Sequence, residues 1–73
     1  MQYTMVKIEH VRVGDRLVMG DAKPYFIVVV ISIVEIKNGT DTIFDVLHLD
    51  NHKNSIVQKY DKGELVIKKN FDV

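Results

Sequence analysis

Seventy-three residues with no cysteine, 47% of them hydrophobic, describe one small domain with no disulfide framework and no thiolate metal site to support its core. Ten basic side chains balance ten acidic ones, which removes the global basic signature of a nucleic-acid binder and leaves room only for a local patch. The hydrophobic fraction is too high for disorder, and the run Tyr25 to Val34 is too short to cross a bilayer as a helix.

In chain order, Lys7 and Glu9 place charges before any apolar leader can form, so no secretory signal is read and a cytoplasmic protein is expected. Tyr3 to Ile8 alternates weakly and reads as a first strand at a sheet edge. At most one helical turn fits, around Ile8 to His10. Gly14-Asp15 is a turn dipeptide, and Arg16 to Met19 is a short strand. Gly20 to Pro24 is a loop, and Pro24 forces Lys23 into an extended conformation that launches the next element.

That element dominates the chain. Eight of the thirteen residues from Tyr25 to Lys37 are Ile or Val, and β-branching disfavours helix and suits a pleated surface. Asn38-Gly39 follows, a strong hairpin signal leading into a partner strand from Thr42 to Leu49. A two-residue turn at Asn38-Gly39 places Ile36, Val34, Val30 and Val28 on one face, opposite Asp41, Ile43, Leu47 and Leu49. A bulged three-residue loop would shift those partners. In either register the middle of the long strand is apolar on both sides. Two physical situations give this pattern. The strand bends, with Ser32 at the bend, and buries each face in turn; or one face fills the core and the other is a contact surface for a second chain. The bend is the preferred reading.

Asp50 to Asn54 is a polar turn, Ser55 to Lys59 a short strand, and Tyr60 to Gly63 a further turn. Glu64 to Lys68 is the last strand, with Leu65 and Ile67 on one face, and residues 70–73 form a tail.

Signals for chemistry are few. His48 and His52 have the four-residue spacing of helical zinc sites, but they straddle a strand end and a turn, so the reason for the spacing is lost and no metal is expected. Asp41, Asp45 and Asp50 read as a solvated strand region rather than as paired acid and base. Ser32 and Ser55 lack a His-Asp context, and no glycine-rich loop precedes a helix. The expectation is a protein that is not an enzyme and carries no cofactor. Lys53, Lys59, Lys62, Lys68 and Lys69 crowd the last third and, with Tyr60, are candidates for a nucleic-acid surface. The same lysines serve equally as solvated edge residues that block strand-to-strand aggregation.

Three stretches carry a family resemblance: Val11-x-Val13-Gly14-Asp15-x-Leu17, the long hairpin at Asn38-Gly39, and Tyr60-Asp61-x-Gly63-Glu64-Leu65-Val66. Together they resemble a small SH3-like β-barrel of the kind found in bacterial and bacteriophage proteins, with a more distant likeness to KOW-type domains. The resemblance implies an all-β, five- to six-stranded antiparallel barrel spanning residues 1–73. The Ala-Leu-Tyr-Asp-Tyr stretch and the paired tryptophan of the eukaryotic signalling version are absent, which argues against proline-rich ligands. The resemblance also implies a ligand groove flanked by Tyr25 and Tyr60. The expected function is a non-enzymatic binding module whose partner is another protein or a second copy, in a concrete version a phage-type protein that modulates a host factor. The alternative is a KOW-like barrel that binds RNA or DNA.

Overall fold

The computed structural model describes residues 2–20 and 23–71; Asp21 and Ala22 of the expected loop, and Asp72 and Val73 of the expected tail, lie outside the described residues. Six strands form: β1 (Tyr3–Lys7), β2 (Arg16–Met19), β3 (Phe26–Asn38), β4 (Asp41–Asp50), β5 (Ser55–Asp61) and β6 (Leu65–Lys69), with one 3₁₀ turn at Ile8–His10. They make a single antiparallel sheet in the order β1-β6-β2-β3-β4-β5. The fold is all-β, with an N-terminal edge strand and one helical turn where the hydrophobic pattern places them. The sheet is not closed. Among the described residues no ladder joins β1 to β5, so these two strands remain free edges.

The sheet is nevertheless strongly curled. A flat sheet is roughly one side-chain layer, about 10 Å, thick, whereas the shortest dimension of this molecule is 24 Å. β3 produces the curl. Its first four residues pair with β2, and Val28 to Asn38 pair with β4. Between Val30↔His48 and Ser32↔Leu47 the ladder slips by one residue. A β-bulge of this kind bends the strand and increases its twist. It also moves the side-chain alternation by one position. Val28 and Val30 point inward and are fully buried, yet beyond Ile31 it is Ile33, opposite Val46, that packs on the core.

Two expectations are corrected by this ladder. The two turn residues are Gly39 and Thr40, with Asn38 paired to Asp41, so every partner differs from the expected register. Gly39 alone takes positive φ, +64°, at the first turn position, where glycine is suited to a type II′ hairpin. The second correction concerns coverage. Val28 and Val30 are enclosed, but Ile31, Val34 and Ile36 stay 43%, 52% and 41% exposed, so the bend leaves the outer side of the strand open.

The core consists of Ile8, Val11, Leu17, Val28, Val30, Phe44, Val46 and Tyr60, with Val6, Met19, Ile33, Ile56 and Val66 packed around it. In β6 it is Val66 that faces this core, while Leu65 and Ile67 point outward. The expected tail is anchored at its start. The Asn70 N–H donates to the Gln2 carbonyl at 2.8 Å, and its side-chain amide donates to Thr4 Oγ1 at 2.8 Å.

Asp15 pins the entry to β2. Its Oδ2 accepts the Arg12 N–H at 2.9 Å, its Oδ1 lies 3.5 Å from Lys68 Nζ, and its carbonyl accepts the Val30 N–H at 2.9 Å. Asp15→Ala removes the first two and keeps the third. The expected loss is about 1.5–3 kcal/mol, the range for a hydrogen bond to a charged group, read as a lower urea midpoint at unchanged slope.

Candidate functional site

The inward faces of the strands are consumed by the core, so any site must use the outer face, an edge or a turn. The outer face follows directly from the registers. One row runs Met5, Ile67, Val18, Ile27 across β1, β6, β2 and β3. The next runs Tyr3, Lys69, Arg16, Val29, Leu49, Ser55 across all six strands. Beyond the bulge, Val34 and Ile36 on β3 share a face with Asp45 and Ile43 on β4, and Ser32 and Val57 flank Leu47.

This outer face has two regions of different chemistry. Over β3, β4 and β5 it is mainly aliphatic, crossed by the pair Asp45 and Lys59: Ile31, Val34, Ile36 and Val57 are exposed, and Ile43, Leu47 and Leu49 are half-buried. Over β1, β6 and β2 it carries a shallow trench of about 470 Å³ with a floor of Val18, Ile27 and Ile67 and walls of Tyr3 and Tyr25. Both tyrosines are about half exposed. The basic pair Arg16 and Lys69 occupies the adjoining row. A separate polar depression of about 480 Å³ lies at the hairpin tip, lined by Thr40, Asp41, Thr42, Ile43, Asp61 and Lys62.

The expected tyrosine-flanked groove divides. Tyr25 is exposed beside Tyr3. Tyr60 is only 4% exposed and sits in the core, so its ring is not offered to a partner. Its hydroxyl lies 3.2 Å from His48 Nε2, while His48 Nδ1 lies 3.2 Å from the Ile56 carbonyl oxygen. A carbonyl only accepts, so Nδ1 carries the proton, and Nε2 accepts from the tyrosine hydroxyl. Burial holds the His48 imidazole below its ordinary pKa, opposed by the bond to Ile56. Burial also raises the Tyr60 phenol, with the Glu64 carboxylate adding to the effect. Both groups are therefore neutral at pH 7.

The five lysines do not share one surface. Lys53 is in the β4–β5 turn, held at φ +64°. Lys62 is in the β5–β6 turn, roughly 23 Å away along the seven residues of β5. Lys59 faces outward opposite Asp45. Lys68 is on the core side of β6, paired with Asp15. Only Lys69 lies beside another cation on the outer face. His48 and His52 are likewise separated, one buried against Tyr60 and the other exposed in the turn that the Asp50 carboxylate organises. Among the described residues no three metal-ligating side chains gather. No helix there is long and apolar enough to cross a membrane.

Sequence reasoning missed Tyr3 and Arg16 as site residues. The signal was present in Tyr3's position on an edge strand, but the pairing of β1 with β6, sixty residues away in the chain, is what brings Tyr3 beside Lys69 and near Tyr25. No family model, curated protein or solved structure matches the chain.

Proposed function

We propose that the chain is a non-enzymatic protein-binding module, built on the plan of a small SH3-like barrel, whose contact surface is the aliphatic outer face of β3, β4 and β5. One observation carries the reading. Four exposed aliphatic side chains, Ile31, Val34, Ile36 and Val57, share a single sheet face with the half-buried Ile43, Leu47 and Leu49, and the pair Asp45 and Lys59 crosses that face between Leu47 and Ile43. Exposed apolar clusters bordered by polar residues mark interaction sites. The free edge of β5 adjoins the same face and offers unpaired main-chain groups to an added strand. The long bulged strand shared by two halves of the sheet supports the SH3-like plan. A phage-type protein acting on a host factor is the concrete form of this reading. The alternative, a KOW-like nucleic-acid barrel working through Lys53, Lys59, Lys62, Lys68 and Lys69, loses support from the scatter of those lysines.

A second copy is the first partner to test, because a self-complementary apolar face closes in a two-fold dimer. Light scattering at micromolar concentration is expected to give a dimer mass for the wild type and a monomer mass for Val34→Lys. The urea midpoint should move little, since Val34 is half exposed. A monomeric wild type excludes the second copy. A pull-down from the source cell then decides: proteins held by the wild type and lost by Val34→Lys support a foreign partner, and identical capture by both removes the reading.

A further inference from the structure

We infer that the trench over β1, β6 and β2 binds single-stranded nucleic acid, with bases stacked on Tyr3 and Tyr25 and phosphates held by Arg16 and Lys69. This surface shares no residue with the aliphatic face proposed above.

Arg16 and Lys69 are direct cross-strand neighbours on one face. Like charges in that relation repel and destabilise a sheet. No carboxylate lies between them. Among the described residues, the outward positions of β1, β6 and β2 are Tyr3, Met5, Lys7, Leu65, Ile67, Lys69, Arg16 and Val18. None is acidic, in a chain whose formal charge is zero. Lys7 is partly compensated by Glu9, whose carboxylate it helps to stabilise. Arg16 and Lys69 have no acidic partner among the described residues, where the one ion pair joins Lys68 and Asp15. The Arg16 guanidinium lies 4.5 Å from the Phe71 ring centroid and donates through Nη2 to the Asn70 carbonyl at 3.2 Å, while its Nε is buried without an acceptor. Among the described residues the face therefore carries a cationic pair with no acidic counterion, which is the complement of a phosphate chain.

The trench is apolar, and its two walls are aromatic rings about half open to solvent. Every base has a π-face, so stacking between tyrosines needs no particular sequence. Arg16 and Val18 are two residues apart on one strand, about 7 Å, comparable to the separation of base and phosphate within a nucleotide. An acidic peptide fits less well. The trench crosses a sheet face, where ladder bonds already use the main-chain groups that an extended peptide would seek. A duplex conceals the base faces that the tyrosines would meet.

The test uses a fluorescent oligothymidylate of about twelve nucleotides, within the range that small β-folds cover, and an oligouridylate of the same length, followed by anisotropy across a salt series. Binding is expected to weaken with salt at a logarithmic slope of about −1.4, for two phosphates on a single strand. Lys69→Gln should lower that slope to about −0.7. Tyr3→Ala and Tyr25→Ala should each weaken binding roughly 5- to 150-fold, the factor for one lost base–aromatic stack. Lys62→Ala, at the far end of β5, should bind as the wild type does. The inference is overturned by absence of binding at low salt, by equal displacement with polyglutamate, or by a loss in Lys62→Ala as large as that in Tyr25→Ala. Light scattering on the same variants keeps the two surfaces separate. Tyr25→Ala should retain the wild-type mass, and Val34→Lys should retain oligonucleotide binding.

Discussion

Val30→Asp is expected to leave no folded protein at room temperature. Val30 is fully buried between Val28 and the bulge, opposite His48. Losing its burial costs roughly 1.5–3 kcal/mol, and an unpaired carboxylate in the same place adds several kcal/mol more. A chain of this length has about 4–11 kcal/mol of total stability, so the change consumes most or all of it. The position cannot easily turn outward, because the Val30 N–H and carbonyl bond Asp15 and Gly14 and tie β3 to the entry of β2. Val29→Asp provides the contrast. Val29 points outward and is 36% exposed, so that variant should fold with a loss near 1 kcal/mol or less. Circular dichroism and urea melting check both. A cooperative transition in Val30→Asp would show that the core is wrongly placed.

The difference between these neighbours shows how far the primary structure can be read. β-branched density, Pro24 and the Asn-Gly pair suffice to place a long strand and its hairpin, because those signals are local. The partition of the strand into inner and outer residues was not legible. Both sides of residues 27–34 are apolar, so the period-2 pattern that reports orientation is absent. The bulge at Ile31, which decides that Val30 is inside and Val34 outside, is a property of two paired strands and not of one. The hairpin turn moved by a residue for a related reason. Asn38 and Gly39 both tolerate positive φ, but only Gly39 uses it, and Asn38 pairs with Asp41 in a register set by the two strands together.

Long-range pairing explains the rest of what was missed. The sequence reads Tyr60 as the first residue of a turn, and the family resemblance sets it beside a ligand groove. The pairing of Phe44 with Tyr60 places that ring on the core side of β5, next to a histidine that nothing local marks as buried. Tyr3 and Arg16 enter the candidate site through β6, at Tyr3↔Lys69 and Arg16↔Lys69, pairings of residues more than fifty apart in the chain. Contacts at such separation leave no periodic trace. The lysine-rich last third was a true compositional feature, yet alternation around β5 and β6 sent its members to different sides of the sheet.

The His48–Tyr60 pair gives the second large prediction, a loss of stability in mild acid. His48 is fully buried, and its Nε2 accepts from Tyr60 while Nδ1 donates to Ile56. Protonation would place a second N–H against the tyrosine hydroxyl and a charge in the core. Burial accordingly lowers the imidazole pKa in the folded state below the usual 6.5. The sign follows. The folded protein binds the proton less readily than the unfolded chain, so the neutral ring contributes its full stability above about pH 6.5 and loses it as pH falls through the depressed folded value. Glu9 and Asp50 are shifted in the same direction, Glu9 chiefly by its own backbone N–H and Asp50 chiefly by that of Asn54. Both contribute in full above the ordinary carboxylate range and lose that contribution only below it, so the interval from pH 6.5 down to 5 isolates the histidine. Urea midpoints for the wild type should fall across that interval, and those of His48→Leu should stay nearly level. Tyr60→Phe leaves the buried Nε2 without its donor and should cost about 1–3 kcal/mol at pH 8. It should keep the acid slope, because the ring that titrates remains. A slope unchanged in His48→Leu would assign the acid sensitivity to another group and remove the buried pair from the account of stability.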